Sequence, residues 1–174
     1  MSESEIKKAI REAIQSGNWM LRADNDGVSY GGFKWRPIGE WTTAPDWSQS
    51  QECGRGLHGV NHVASGFALR GDLVFCETRG PQIDLQDKVK VQSARRLFSG
   101  IPSGLSFGSW LDLRGTAITS LPEGLKVGGG LDLRGTAITS LPEGLQVGGG
   151  LYLSRTAIKG KYRVVNGLVR RAEG

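Results

Sequence analysis

Cys53, His58, His62 and Cys76 bring two thiols and two imidazoles into the stretch around CGRGLHGVNHV and the apolar run behind it. Two sulfurs and two ring nitrogens are the donor set of a tetrahedral zinc site. Their spacing argues against one: Cys53 to His58 is C-x4-H, His58 to His62 is H-x3-H, and no CxxC knuckle is present. A zinc-protease signature is excluded, because residue 59 is Gly where the Glu general base belongs. A thiol paired with an imidazole is a second chemistry, with Cys53 or Cys76 activated by His58. Neither cysteine lies in a nucleophile motif, and a Cys in a strand usually packs. Metal held by Cys53, His58, His62 and Cys76 stays as an alternative, and the principal reading calls for no cofactor.

His58 also enters a third chemistry. The order GLHG at 56–59, VASGFALRG at 63–71 and LVFCE at 73–77 resembles ADP-ribosyltransferase folds, in which a His-bearing strand is followed by a helix and then a strand with an acid. That resemblance implies NAD as substrate, with His58 donating a hydrogen bond and Glu77 stabilising an oxocarbenium-like centre. The chain departs from the pattern in its short helix, in the Gly within it and in lacking a matching Tyr. A small NAD-using or metal-dependent enzyme centred on His58 is therefore the rival to a binding protein.

Elements must position these groups. Ser2 and Glu5 fit a capping box ahead of a helix over Glu3–Ile14, with an apolar stripe of Ile6, Ala9, Ile10, Ala13 and Ile14 and a stop at Gly17. VSYGGFKW and GDLVFCET have strand composition, and IDLQDKVKV alternates weakly. SARRLFSG at 93–100 reads as a short helix closing a first domain over residues 1–100. Trp35, Trp41 and Trp47, six residues apart, either line one groove for a base or sugar or anchor loops by packing.

Residues 111–130, LDLRGTAITSLPEGLKVGGG, recur as 131–150 with a single change, Lys126 to Gln146. Catalysis does not require an exact copy; a stack of coils does, because each unit must fit its neighbour. IPSGLSFGSW before and LYLSRTAIKG after extend the register over 101–160. Leucines of the LxL segments should stack inward, Thr116, Thr136 and Thr156 should bond backbone where the coil leaves its strand, and residues 110, 112 and 114 with their copies should face solvent. KYRVVNGLVRR reads as a hairpin turning at Asn166-Gly167, a cap over 161–174.

The LxL strand followed by TxITxLPxGL resembles short bacterial leucine-rich repeats, with Thr where the commonest repeats have Asn. The resemblance implies a parallel-sheet solenoid whose concave face binds protein. YGGFKWRPIGEWTTAPDWSQSQECGRGLHGV, Tyr30 to Val60, is similar to an uncharacterised bacterial and phage domain with a GGFxW, APDW, CGxGLHG pattern, which implies no activity. The expected fold class is α+β: a mixed N-terminal domain, a leucine-rich-type solenoid and a β-hairpin cap.

The chain carries a formal charge of +5, and its basic excess lies late: Arg155 to Arg171 holds six basic residues and no acidic one. An acidic protein or a nucleic acid could meet that end, or it simply keeps an exposed cap soluble. No apolar run reaches the length of a membrane span, and the start has no signal-peptide core, so a cytoplasmic protein is expected. Two cysteines make no disulfide framework. The reading adopted is a macromolecule-binding protein with a protein partner, phage-like in setting and capable of modulating a host complex. Its binding residues would be Trp110, Asp112, Arg114, Asp132, Arg134 and Tyr152 on the repeat face, with Arg155, Arg163, Arg170 and Arg171 steering an acidic partner. Nucleic-acid binding by the basic end is the further alternative; no membrane partner is expected.

Overall fold

The structure, a computed structural model, describes residues 1–29 and 32–172. Helix α1 (Glu3–Ser16) begins as its sequence requires: Ser2 Oγ accepts from Glu5 N at 3.3 Å while Glu5 Oε2 accepts from Ser2 N at 2.6 Å. Gly17 ends it in the left-handed region at φ 75°, a conformation open to a residue without Cβ. Ala9 and Ala13 are buried beneath it, with Ile6, Ile10 and Ile14 packed against the same core.

Strands β1 (Trp19–Asp24), β2 (Trp41–Thr43), β3 (Leu57–Gly59), β4 (Asp72–Asp84) and β5 (Val89–Ser99) form one antiparallel sheet in the order β1-β4-β5-β2, with β3 also on β5. The helix expected over SARRLFSG is instead the second half of β5. Its pairing with β4 decides this: Ala94, Arg95 and Arg96 stand opposite Thr78, Glu77 and Cys76, Arg95 meets Glu77 at 2.6 Å across that pair, and Arg96 reaches Asp24 on β1 at 3.6 Å. VASGFALRG is not helical either. Gly66 sits at φ 137°, and Phe67 N and Leu69 N donate to Asp87 O and Asp112 O rather than to their own segment. VSYGGFKW contributes only isolated bridges at Val28, to Asn25 and Lys34, and its Tyr30 and Gly31 lie outside the described residues.

The repeats form two short parallel ladders. Strands β7 (Leu111–Asp112), β9 (Leu131–Asp132) and, at the last coil, β11 (Leu151–Tyr152) make one; β6 (Ser106–Phe107), β8 (Lys126–Val127) and β10 (Gln146–Val147) make the other. The expected leucine-rich solenoid, with one curved sheet and a concave face, is not what forms. Coils are hydrogen-bonded to each other on both sides, Leu113 N to Asp132 O at 2.9 Å on one and Gly128 N to Phe107 O at 2.7 Å on the other. Two backbone ladders impose the same strand spacing on both sides, so nothing fans the coils apart. The fold is a mixed α+β arrangement of several sheets.

Within each coil the expected inward columns hold. Leu111, Leu113, Leu131 and Leu133 are fully buried. Thr116, Thr136 and Thr156 each donate through Oγ1 to the carbonyl three residues back, at 2.8, 2.8 and 2.7 Å. Gly128 permits the close approach of the second ladder: a Cβ there would run into the carbonyl of Gly108. His62 O and Leu69 N cover the front of the stack by bonding Gly108 N and Asp112 O. At the back, β12 (Tyr162–Val165) and β13 (Leu168–Arg171) form the expected hairpin, with Asn166 and Gly167 at φ 49° and 76°. One apolar cluster runs from Trp19, Leu21 and Phe75 through the coils to Leu145 and Val147.

Candidate functional site

The groups that suggested metal or nucleophilic chemistry do not converge. Cys53 is exposed in a loop, Cys76 is buried in β4, His58 is half-buried in β3, and His62 lies against Gly17 and Trp19. Among the described residues, no three His, Cys, Asp or Glu side chains are placed to hold a metal ion. Burial pushes the Cys76 thiol up to about 12, far from a reactive thiolate. Burial, then the charges of Lys88, Lys90 and Arg22, pulls His58 below the ordinary histidine value. His58 pairs with Lys90 on β5, whereas Glu77 pairs with Arg95, five residues further along the same strand. Glu77 is occupied by Arg95 Nε at 2.6 Å. Neither the hollow lined by Asp24, Arg96 and Leu121 nor the one lined by Ser2 and Arg11 includes His58 or Glu77.

The three tryptophans stand apart as well, each beside a different cation. Trp35 is buried under Arg22 at 4.0 Å, Trp41 lies between Arg79 at 4.1 Å and Arg95 at 5.0 Å, and Trp47 faces Lys90 at 5.9 Å. Lys90 itself is fully buried, its Nζ capped by the carbonyls of Ser50 and Glu52. These rings anchor the loops between β1 and β5 rather than lining one groove.

The outer face of the β7–β9–β11 ladder is organised differently. Arg114 Nη2 donates to Asp112 Oδ2 at 2.6 Å and its Nε to Oδ1 at 3.0 Å; Arg134 repeats the geometry on Asp132 at 2.6 and 2.9 Å. The backbone N–H of each Arg also donates to the same carboxylate, at 3.1 Å in both coils. Alternation placed Asp112 and Asp132 in solvent, yet their side chains are only 5% and 1% exposed. They cannot meet a partner directly; they hold the arginines, whose side chains are 43% and 42% exposed. Burial pushes the Asp112 carboxyl up, but hydrogen bonds from Arg114 and the charges of Arg114 and Arg70 hold it below its ordinary value.

Arg70 belongs to this face, its Nη1 3.5 Å from Asp112 Oδ1, and nothing in its local sequence announces that. Trp110 and Tyr152 flank the row with ring centroids 5.3 Å apart, and Arg134 lies over the Tyr152 ring at 5.4 Å. The glycine column explains their seat. A Cβ on Gly130 would strike the Trp110 ring, and one on Gly150 would strike Tyr152 at 2.7 Å. Tyr152 is 41% exposed. Side-on pairing occupies Nε and one N–H of Nη2, so Nη1 of each Arg is left as a fixed donor.

Arg155, Arg163, Arg170 and Arg171 are exposed on the last coil and the hairpin, with Lys159 and Lys161 beside them. None of the six forms an ion pair among the described residues. The described helix is neither long nor apolar enough to cross a membrane.

No family model, curated protein or solved structure matches this chain. The leucine-rich resemblance and the phage-domain resemblance of Tyr30 to Val60 are therefore both withdrawn, the first also by the two-ladder geometry of its repeats.

Proposed function

We propose that this protein binds another protein through the outer face of the β7–β9–β11 ladder, with Arg114, Arg134, Trp110 and Tyr152 as the contact groups. The observation that carries the reading is the repeated Arg-on-buried-Asp arrangement beside half-buried Trp110 and exposed Tyr152. Arg and aromatic side chains dominate binding hot spots. An arginine already held by a carboxylate and its backbone gives up little rotamer freedom when it binds. Fixed guanidinium donors at strand spacing suit carbonyls or carboxylates on a protein surface.

The test is capture from source-cell lysate by tagged protein, comparing the intact chain with an Arg114→Lys/Arg134→Lys/Tyr152→Ala variant. Lysine keeps the charge and removes the planar fork. A protein retained by the intact chain and lost by a variant of unchanged far-UV circular dichroism supports the face. Equal retention by both places binding elsewhere.

A further inference from the structure

The two ladders end differently at the last coil. Beside β10 lies β13: Gly167 O, in the turn just ahead of it, accepts from Val147 N at 2.8 Å, and Val169 N donates to Leu145 O at 2.9 Å. Among the described residues β11 pairs only with β9 and has nothing on its outer side.

The inner steps show what that side offers. Leu111, Leu113 and Gly115 donate from N–H to Gly130, Asp132 and Arg134 carbonyls at 2.8, 2.9 and 3.1 Å; Leu131, Leu133 and Gly135 repeat this onto Gly150, Tyr152 and Ser154 at the same three distances. The matching N–H groups of the last coil belong to Leu151, Leu153 and Arg155, and they meet no backbone acceptor among the described residues. Half-buried Leu151, Leu153 and Ile158 leave the end of the apolar core uncovered beside them. An open edge of this kind is a template for an added strand.

Charge selects the occupant. Arg155 lies on the edge itself, and Lys159, Lys161, Arg163, Arg170 and Arg171 are exposed on the rest of the last coil and the hairpin behind it, none with a carboxylate partner among the described residues. A second copy would bring the same cations against themselves. A nucleic acid would satisfy the charge but not the row of N–H donors at strand spacing, which call for peptide carbonyls. We infer that the β11 edge takes an extended, acidic segment of a partner protein as an added strand. This rests on the protein-binding reading and names the chemistry of the partner.

The probe is a fluorescein-labelled peptide of alternating valine and glutamate, titrated onto the full chain and read by anisotropy. A valine–lysine peptide, a single-stranded oligonucleotide and unlabelled protein itself run in parallel. The glutamate peptide should bind about tenfold or more tightly than the lysine peptide, more weakly as salt rises. Leu153→Pro removes one open N–H and no internal backbone bond, and should weaken binding about tenfold. Because that variant can misfold, amide exchange on the unaltered protein is the second measurement: the N–H groups of Leu151 and Leu153 should exchange freely alone and slow with peptide.

Oligonucleotide binding without peptide binding, self-association in place of peptide binding, or peptide binding that leaves both amides unprotected overturns the inference. So does failure to bind any probe, which would make the cations mere protection of an open edge. A peptide kept by Leu153→Pro but lost by Arg114→Lys/Arg134→Lys/Tyr152→Ala overturns the edge and leaves the outer face standing.

Discussion

Arg114 spans two coils: its Nη2 holds Asp112 of its own coil at 2.6 Å while its Nε lies 3.3 Å from Asp132 Oδ2 in the next. Arg134 has no such second carboxylate, because Tyr152 stands where a third Asp would be. Arg114 is thus a tie between coils as well as a contact group. Arg114→Ala should destabilise more than Arg134→Ala. A double-mutant cycle between Arg114 and Asp132 should show coupling of about 0.5–2 kcal/mol in urea unfolding. Simple additivity of the two changes contradicts the tie.

Gly128 should tolerate no side chain. Its Cβ would meet the backbone of Gly108, which cannot swing aside, whereas Gly124 faces open space. Gly128→Ala should therefore cost about 1–3 kcal/mol, and Gly124→Ala only the strain of its φ of 71°, about 1 kcal/mol. Thermal midpoints of the two variants check the order, and a reversed order contradicts the two-ladder packing.

Much of this was legible in the chain. Ser2 with Glu5 and Asn166 with Gly167 declare their elements because capping and type I′ turns are local. The exact repeat fixed the Leu and Thr columns for the same reason. The second ladder was hidden: two residues of KVGGG are too few to show alternation. Burial of Asp112 and Asp132 was hidden too, since each is held under the Arg two residues on, whose side chain folds back onto the carboxylate. SARRLFSG has a composition that suits a helix, and only its pairing with the distant β4, Arg95 opposite Glu77 and Arg96 opposite Cys76, makes it a strand. For the candidate site, residue types pointed to Trp110, Arg114, Arg134 and Tyr152; the division of labour between buried Asp and exposed Arg did not follow from alternation.

Arg155 stands at φ 61°, where the two preceding coils place Gly115 and Gly135 at 64° and 71°. A side chain in that region is strained. Arg155→Gly should raise stability by about 0.5–1 kcal/mol, read from the denaturation midpoint. A loss of stability would mean that the Arg155 side chain contributes more packing than its exposure implies.

Asp112 gives the fold a pH signature. Its carboxyl is held below the ordinary value, so the folded protein binds that proton less tightly than the unfolded chain. The stabilisation is present above the unfolded pKa of about 3.9 and is lost as pH falls through the folded value. Asp112→Asn should lie below the parent in thermal midpoint at neutral pH, with the gap closing as pH drops below about 4. A gap independent of pH contradicts the ion pair with Arg114 and Arg70.

The most direct measurement of the central claim is photocrosslinking from the ladder itself. A benzophenone side chain placed at Tyr152, on the outer face, is compared with one at Gln146, on the other ladder, both in the full chain irradiated in source-cell lysate. A specific adduct is expected from position 152 and none from 146, and it should be lost when Arg114 and Arg134 are changed to Lys. An adduct from 146 alone, or one from 152 indifferent to both arginines, would contradict binding through the outer face of β7–β9–β11.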